Sequence, residues 1–196
     1  MTAATPNKHA LQRLPLLGSA AGWDCLISVG RVSLAGMDIL RLGRDAGGQL
    51  RDVRLRALAD APYAFSSSLE RESVLGPEFW DQRVVDSELG EAGVVFAAVD
   101  SGRAVGMAGG FSADGERQVA MLWGMWVDPD ARRSGLGRAL VDAVLSWARD
   151  SGAARLQLAV TDCDAARPAE TLYRMLGSSR PANWSRWSRI QHSSPE

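Results

Sequence analysis

The stretch GMWVDPDARRSGLGRALVDAVLSWARD, Gly124 to Asp150, sets two arginines, a serine and two glycines directly ahead of an apolar periodic run. Glycine accepts backbone angles that other residues avoid and lets a ligand approach the main chain. The first amides of a helix have no intrahelical acceptor and lie at the positive end of its dipole, roughly half a unit charge. A helix beginning near Gly135 therefore offers an anion site built from backbone donors. Arg132, Arg133 and Arg138 can add charge-assisted hydrogen bonds, a combination that suits a pyrophosphate. A plainer account is that Gly135 and Gly137 only permit tight packing of helix on strand. The missing Gly-Lys-Ser/Thr argues against a nucleotide P-loop, and the missing third glycine against a dinucleotide fingerprint.

Such a turn needs a strand before it and a helix after it, and the pattern supplies both. Leu136, Leu140, Ala143, Val144 and Trp147 predict an apolar helix over 136–149. Strands are predicted at 93–100, 104–112 and 119–127, separated by turn-like SGR and ADGERQ, which reads as an antiparallel meander. ARLQLAV at 154–160 follows the helix, so strand, helix and strand imply a right-handed crossover and a parallel pair. Earlier, MDILRL (37–42) predicts a strand, and Leu50, Val53, Ala57 and Leu58 a helix that Pro62 stops. Gly76-Pro77 predicts another helix start, and a last helix closes at Leu176-Gly177. The fold class expected is α/β, a mixed sheet with helices on its faces.

Length and composition bound the partners. A chain of 196 residues, 46% apolar, suffices for one domain with a substantial core. Lys and Arg number 22 against 23 Asp and Glu, so no global field draws the chain to nucleic acid or to a membrane surface. Two cysteines, Cys25 and Cys163, make no disulfide framework and no metal pair, and the only histidines, His9 and His192, lie near the termini. No metal is expected, and the location expected is cytoplasmic. Leu14 to Gly22 is too short and too broken by Pro15 and Gly18 to be a spanning helix, which takes about 20 residues. Residues 1–36 show no sustained period and read as an irregular extension, of the kind an upstream start adds. Residues 37–196 form the expected domain.

With these residues in view, the chain resembles the GNAT superfamily of N-acetyltransferases, in its bacterial branch. The acetyl-CoA signature of that superfamily runs Val-x-Pro-x-x-Arg/Gln-x-x-Gly-x-Gly/Ala, and Val127, Pro129, Arg132, Gly135 and Gly137 fill it. The resemblance extends from about Met37 to Gly177 and takes in LRALADAPYAFSSSLERE (55–72), WGMWVDP and AETLYRMLG (169–177). It implies a GNAT fold, mostly antiparallel, with a parallel pair splayed at a bulge to hold the pantetheine arm of acetyl-CoA. Gly124 suits that bulge. The implied cofactor-binding residues are Met125, Trp126 and Val127 on the strand and Arg132, Arg133, Ser134, Gly135, Leu136, Gly137 and Arg138 on the turn. Tyr173 is implied as the proton donor to the departing thiolate, with a backbone donor near the bulge at the oxyanion. For a general base the acceptor side offers Glu70, Glu72 or Glu116, of which Glu72 is chosen.

The sequence also departs from the superfamily. Arg133 and Ser134 stand where many relatives carry glycine and then a basic residue, and Ala166 stands where an asparagine is common. Residues 178–196 form an atypical Ser/Arg/Trp-rich tail without strand period. Back-translation with one base restored at Gly177 yields an ending like that of the superfamily, as a frameshift would explain. The function expected is transfer of an acetyl group from acetyl-CoA to a primary amine of a small molecule or protein. The alternative is a non-catalytic acyl-CoA-binding module or inactive remnant. Seven tryptophans leave room for a homodimer interface.

Overall fold

The computed structural model describes residues 32–34, 36–112, 119–161, 164–178 and 185–190. The described strands form one sheet in chain order: β1 (Val32–Leu34), β2 (Met37–Arg41), β3 (Gly93–Asp100), β4 (Arg103–Ser112), β5 (Val119–Val127), β6 (Arg155–Thr161) and β7 (Ser185–Ile190). Neighbours from β1 to β5 are antiparallel, and β5, β6 and β7 run parallel. The helices are α1 (Gly47–Asp60), α2 (Leu69–Ser73), α3 (Pro77–Leu89), α4 (Leu136–Asp150) and α5 (Arg167–Ser178).

Both faces of the sheet are covered, so its central strands are apolar throughout rather than alternating with polar residues. Val94, Phe96 and Ala98 of β3 join the core under α4, while Val95, Ala97 and Val99 join the core under α1 and α3. The period of two thus separates two cores, not core from solvent. On α4 the buried residues Leu136, Leu140, Val144, Leu145 and Trp147 follow the helical period and lie against β3 and β4. Pro77 stands in the first turn of α3, after Gly76.

Two segments read as irregular contain strands. Val32–Leu34 pairs antiparallel with Met37–Ile39, a run of three too short to show a period. Ser185–Ile190, in the tail expected to form no strand, pairs in parallel with Leu156–Thr161. A ladder is made of amides and carbonyls that almost any residue carries, so polar composition does not bar an edge position. The sheet therefore has two parallel pairs, not the single one expected. Cys25, Cys163, His9, His192 and Glu116 lie outside the described residues.

Candidate active site

The parallel pair β5–β6 is short. Val119, Ala120 and Met121 pair with Arg155, Leu156 and Gln157, and beyond Met121 the two strands part. The cause lies on the other edge of β5, where Met107 pairs with Trp126 and Gly109 with Trp123. Ala108 thus faces two residues, Gly124 and Met125, and Gly124 takes φ of +65°. This is a bulge with glycine in the left-handed region, at the position expected. The parting leaves a cavity of about 890 Å³ lined by Trp123–Val127, the start of α4, one face of α5, and the short turn Pro62–Ala64.

The turn that closes the cavity on the α4 side is held by its own polar groups. Asp128 Oδ1 accepts from the Asp130 amide at 3.4 Å, and Ser134 Oγ donates to the Ala131 carbonyl at 2.6 Å. Arg133 (φ +64°) and Gly135 (φ +88°) both adopt left-handed backbone with Ser134 between them. Alternation of this kind turns successive amides toward one side, as in anion-binding nests. Gly135 caps α4 without a side chain, and the first helical bond runs from the Ala139 amide to the Gly135 carbonyl at 3.1 Å. The amides of Leu136, Gly137 and Arg138 therefore have no acceptor one turn back. Gly135, Gly137, Arg133 and Arg138 line the cavity at this point, so backbone donors and positive charge meet there.

The two glycines of the turn have different reasons. Gly135 supplies the left-handed angle. Gly137 supplies space: a Cβ added to it would stand 3.0 Å from Met125 Cε and 3.3 Å from Leu172 Cδ2. The packing account of Gly-x-Gly holds for Gly137, and at Gly135, where a Cβ would stand 3.1 Å from Leu34 Cδ2, it adds to the left-handed angle.

Arg132, expected to bind the anion, lines the cavity with two of its nitrogens engaged by the protein. Its Nε donates to the Val127 carbonyl at 3.0 Å, and its Nη2 is bound to Asp60 Oδ2. Asp60 also accepts from the Trp126 indole at 2.8 Å. The signature arginine thus ties the turn to the end of α1 and braces β5 from below. Asp60 shows no signal in the sequence beyond its place at the end of the helix stopped by Pro62.

Tyr173, on α5, is 9% exposed and lines the cavity. Burial pushes its phenol well above the ordinary tyrosine range, so it remains protonated through the neutral range. Ala166 is buried and contributes no polar group to the lining. Among the described residues that line the cavity there is no Asp, Glu or His.

Glu72 stands on α2 beyond the bulge. Arg54 Nε and Nη2 donate to its two oxygens at 2.8 and 2.7 Å, with both side chains nearly buried. Desolvation alone would raise the carboxyl. The hydrogen bonds and charge of Arg54, with Ser67 and Arg83, outweigh it and hold Glu72 below the usual carboxylate range. A carboxylate so held is a poor proton acceptor, and the general-base expectation for Glu72 does not fit this geometry. Glu70 is exposed on the same short helix.

Arg54 is the residue that the sequence reading passed over. It is 8% exposed, and its Nη1 is buried with no hydrogen-bond partner among the described residues. Leaving such a donor unmet costs about 1–3 kcal/mol. The guanidinium lies 4.5 Å from the Phe65 ring and 5.9 Å from Trp123, and Nη1 is 3.7 Å from where a Cβ on Gly124 would be. Trp123 is laid across the backbone of Gly109, where a Cβ would come within 2.2 Å of the indole. The signal for Arg54 was present: an arginine four residues from both Leu50 and Leu58, on the buried stripe of α1.

Comparison with known proteins brings in what geometry alone does not. The model of the Acetyltransferase (GNAT) family matches residues 54–177. No curated protein matches the chain. Among solved structures, the chain is similar to an aminoglycoside acetyltransferase from an uncultured soil metagenomic sample (16% identity, 82% of this chain and 98% of that one, TM-score 0.63). It is similar to an acetyltransferase of the GNAT family from Streptococcus pneumoniae (19% identity, 72% and 83%, TM-score 0.62). A third, a predicted acetyltransferase from Clostridium acetobutylicum solved with acetyl-CoA, shares 15% identity over 76% and 93% of the chains with a TM-score of 0.55. At these identities the likeness is one of fold. No helix among the described residues is long and apolar enough to cross a membrane.

Proposed function

The chain belongs to the GNAT acetyltransferase family, and from that premise we propose that it transfers the acetyl group of acetyl-CoA to a primary amine. The observation that carries the reading is the uncapped start of α4, with left-handed Arg133 and Gly135 beside it, at the rim of a cavity opened by the bulge at Gly124. These donors fit a diphosphate. The amides of Leu136, Gly137 and Arg138 bind it, and the Arg133 and Arg138 side chains add charge. Main-chain groups of Met125, Trp126 and Val127 on the unpaired edge of β5 hold the pantetheine arm. The thioester supplies an already activated acetyl group, so the protein's work is chiefly orientation.

Tyr173 holds the proton that the leaving thiolate takes up, a role worth about 10²–10⁴ in rate. With no carboxylate or imidazole among the described lining residues, the incoming amine loses its proton to water at the cavity mouth. The rate is then expected to rise with pH until the free amine's own pKa is passed. A base of the protein titrating near neutrality would add a second limb to that profile, and seeing one would overturn this part of the proposal.

The same lack of a base favours a second reading, a module that binds acyl-CoA without turnover. Calorimetry with coenzyme A, followed by thiol release from acetyl-CoA in the presence of an amine panel, separates the two. Binding with release supports the transferase, binding without release supports the module, and no heat at millimolar coenzyme A removes both.

A further inference from the structure

The acceptor side of the bulge carries a guanidinium pair that the transfer reaction does not use. Arg83 on α3 lies 4.8 Å from the Trp123 ring and 5.0 Å from Phe79, so Trp123 has Arg54 and Arg83 both within cation–π range. Burial, and next the like charge of Arg54, pull the Arg83 guanidinium below its ordinary range. Two like charges held this close are unfavourable unless an anion offsets them. Glu72 supplies one negative charge, but its two oxygens are occupied by Nε and Nη2 of Arg54. Asp86, one turn along α3 from Arg83, is exposed and accepts from Gln82 at 2.8 Å. Glu72 is the carboxylate hydrogen-bonded to Arg54, and the charge of Asp86 also acts on Arg83, yet neither gives Arg54 Nη1 an acceptor. The buried Nη1 of Arg54, 3.7 Å from where a Cβ on Gly124 would be, has no acceptor among the described residues.

We propose that the acceptor amine also carries a carboxylate, bound between exposed Arg83 and buried Arg54 beside Trp123. The inference rests on the transferase reading above and names its substrate class. A single carboxylate matches the planar fork of a guanidinium and would give Arg54 Nη1 an acceptor. An aminoglycoside brings several ammonium groups and no carboxylate to these two arginines. The acceptor class therefore differs from that of the soil aminoglycoside acetyltransferase that shares the fold.

The test uses the whole protein loaded with coenzyme A, its binding first established by calorimetry. Free α-amino acids, their primary amides and an aminoglycoside are compared by thermal shift, and with acetyl-CoA by thiol release. The carboxylate form is expected to bind and react about tenfold or more better than its amide. Arg83→Gln, at an exposed position, is expected to remove most of that ratio through KM, and Arg83→Lys to restore part of it. Equal response to acid and amide, preference for the aminoglycoside, or an Arg83→Gln ratio equal to that of the parent protein would each overturn the proposal. If coenzyme A binds and no carboxylate shows preference, only this inference fails. If coenzyme A does not bind, the transferase reading fails with it.

Discussion

On one side of the cavity the polar groups are amides of a single continuous turn, Arg133 to Arg138, set by two left-handed residues and a helix start. Behind the other, beyond the bulge, stand side chains from four elements: Arg54 on α1, Glu72 on α2, Arg83 on α3 and Trp123 on β5, of which Trp123 lines the cavity. The first wall relies on backbone geometry rather than on the side chains it carries. The second wall relies on charge balance within a partly buried cluster, where removing one member strands the others. The walls should therefore fail in different ways.

The largest expected effect lies between them. Tyr173→Phe should lower kcat about 10²–10⁴-fold while the affinity for coenzyme A, read by calorimetry, stays near that of the parent protein. Equal kcat values would take proton donation away from the phenol.

Next is Glu72→Ala, which strands the Arg54 guanidinium and should cost about 3–5 kcal/mol in urea unfolding at neutral pH. The sign with pH follows from the depressed carboxyl. Its stabilisation is complete above the unfolded-state pKa and is lost as pH falls through the lower folded value. The stability gap between parent and variant should thus close on acidification. A gap that stays constant into strong acid would show that the loss is one of packing, not charge.

Gly137→Val sharpens the contrast from the other wall. The added groups meet Met125 and Leu172, and overpacking of this kind costs about 1–3 kcal/mol. Coenzyme A affinity should fall with it as α4 is pushed from β5. Smallest is Arg133→Ala or Arg138→Ala, each expected to weaken coenzyme A binding by about 0.3–1 kcal/mol and more at low than at high salt. An effect much larger, or indifferent to salt, would mean that side chains rather than amides carry the turn.

Legibility followed the same divide. The meander from β3 to β5 and the helix α4 could be read because their apolar periods extend over eight or more residues, and the bulge and the turn because glycines mark them. The strands β1 and β7 could not, one being too short for a period and the other polar. Arg132 and Glu72 were assigned by type and position, whereas their partners Asp60 and Arg54 decide what they do, and those lie 72 and 18 residues away.

Sequence alone determined the strand, bulge, turn and helix start that leave amides without intrahelical acceptors, because amide direction there depends on local backbone angles and on a contiguous apolar stripe. Tertiary structure alone decided which charged groups remain available to a ligand. That availability depends on which side chains meet across elements distant in the chain, and on how much water each loses when they do.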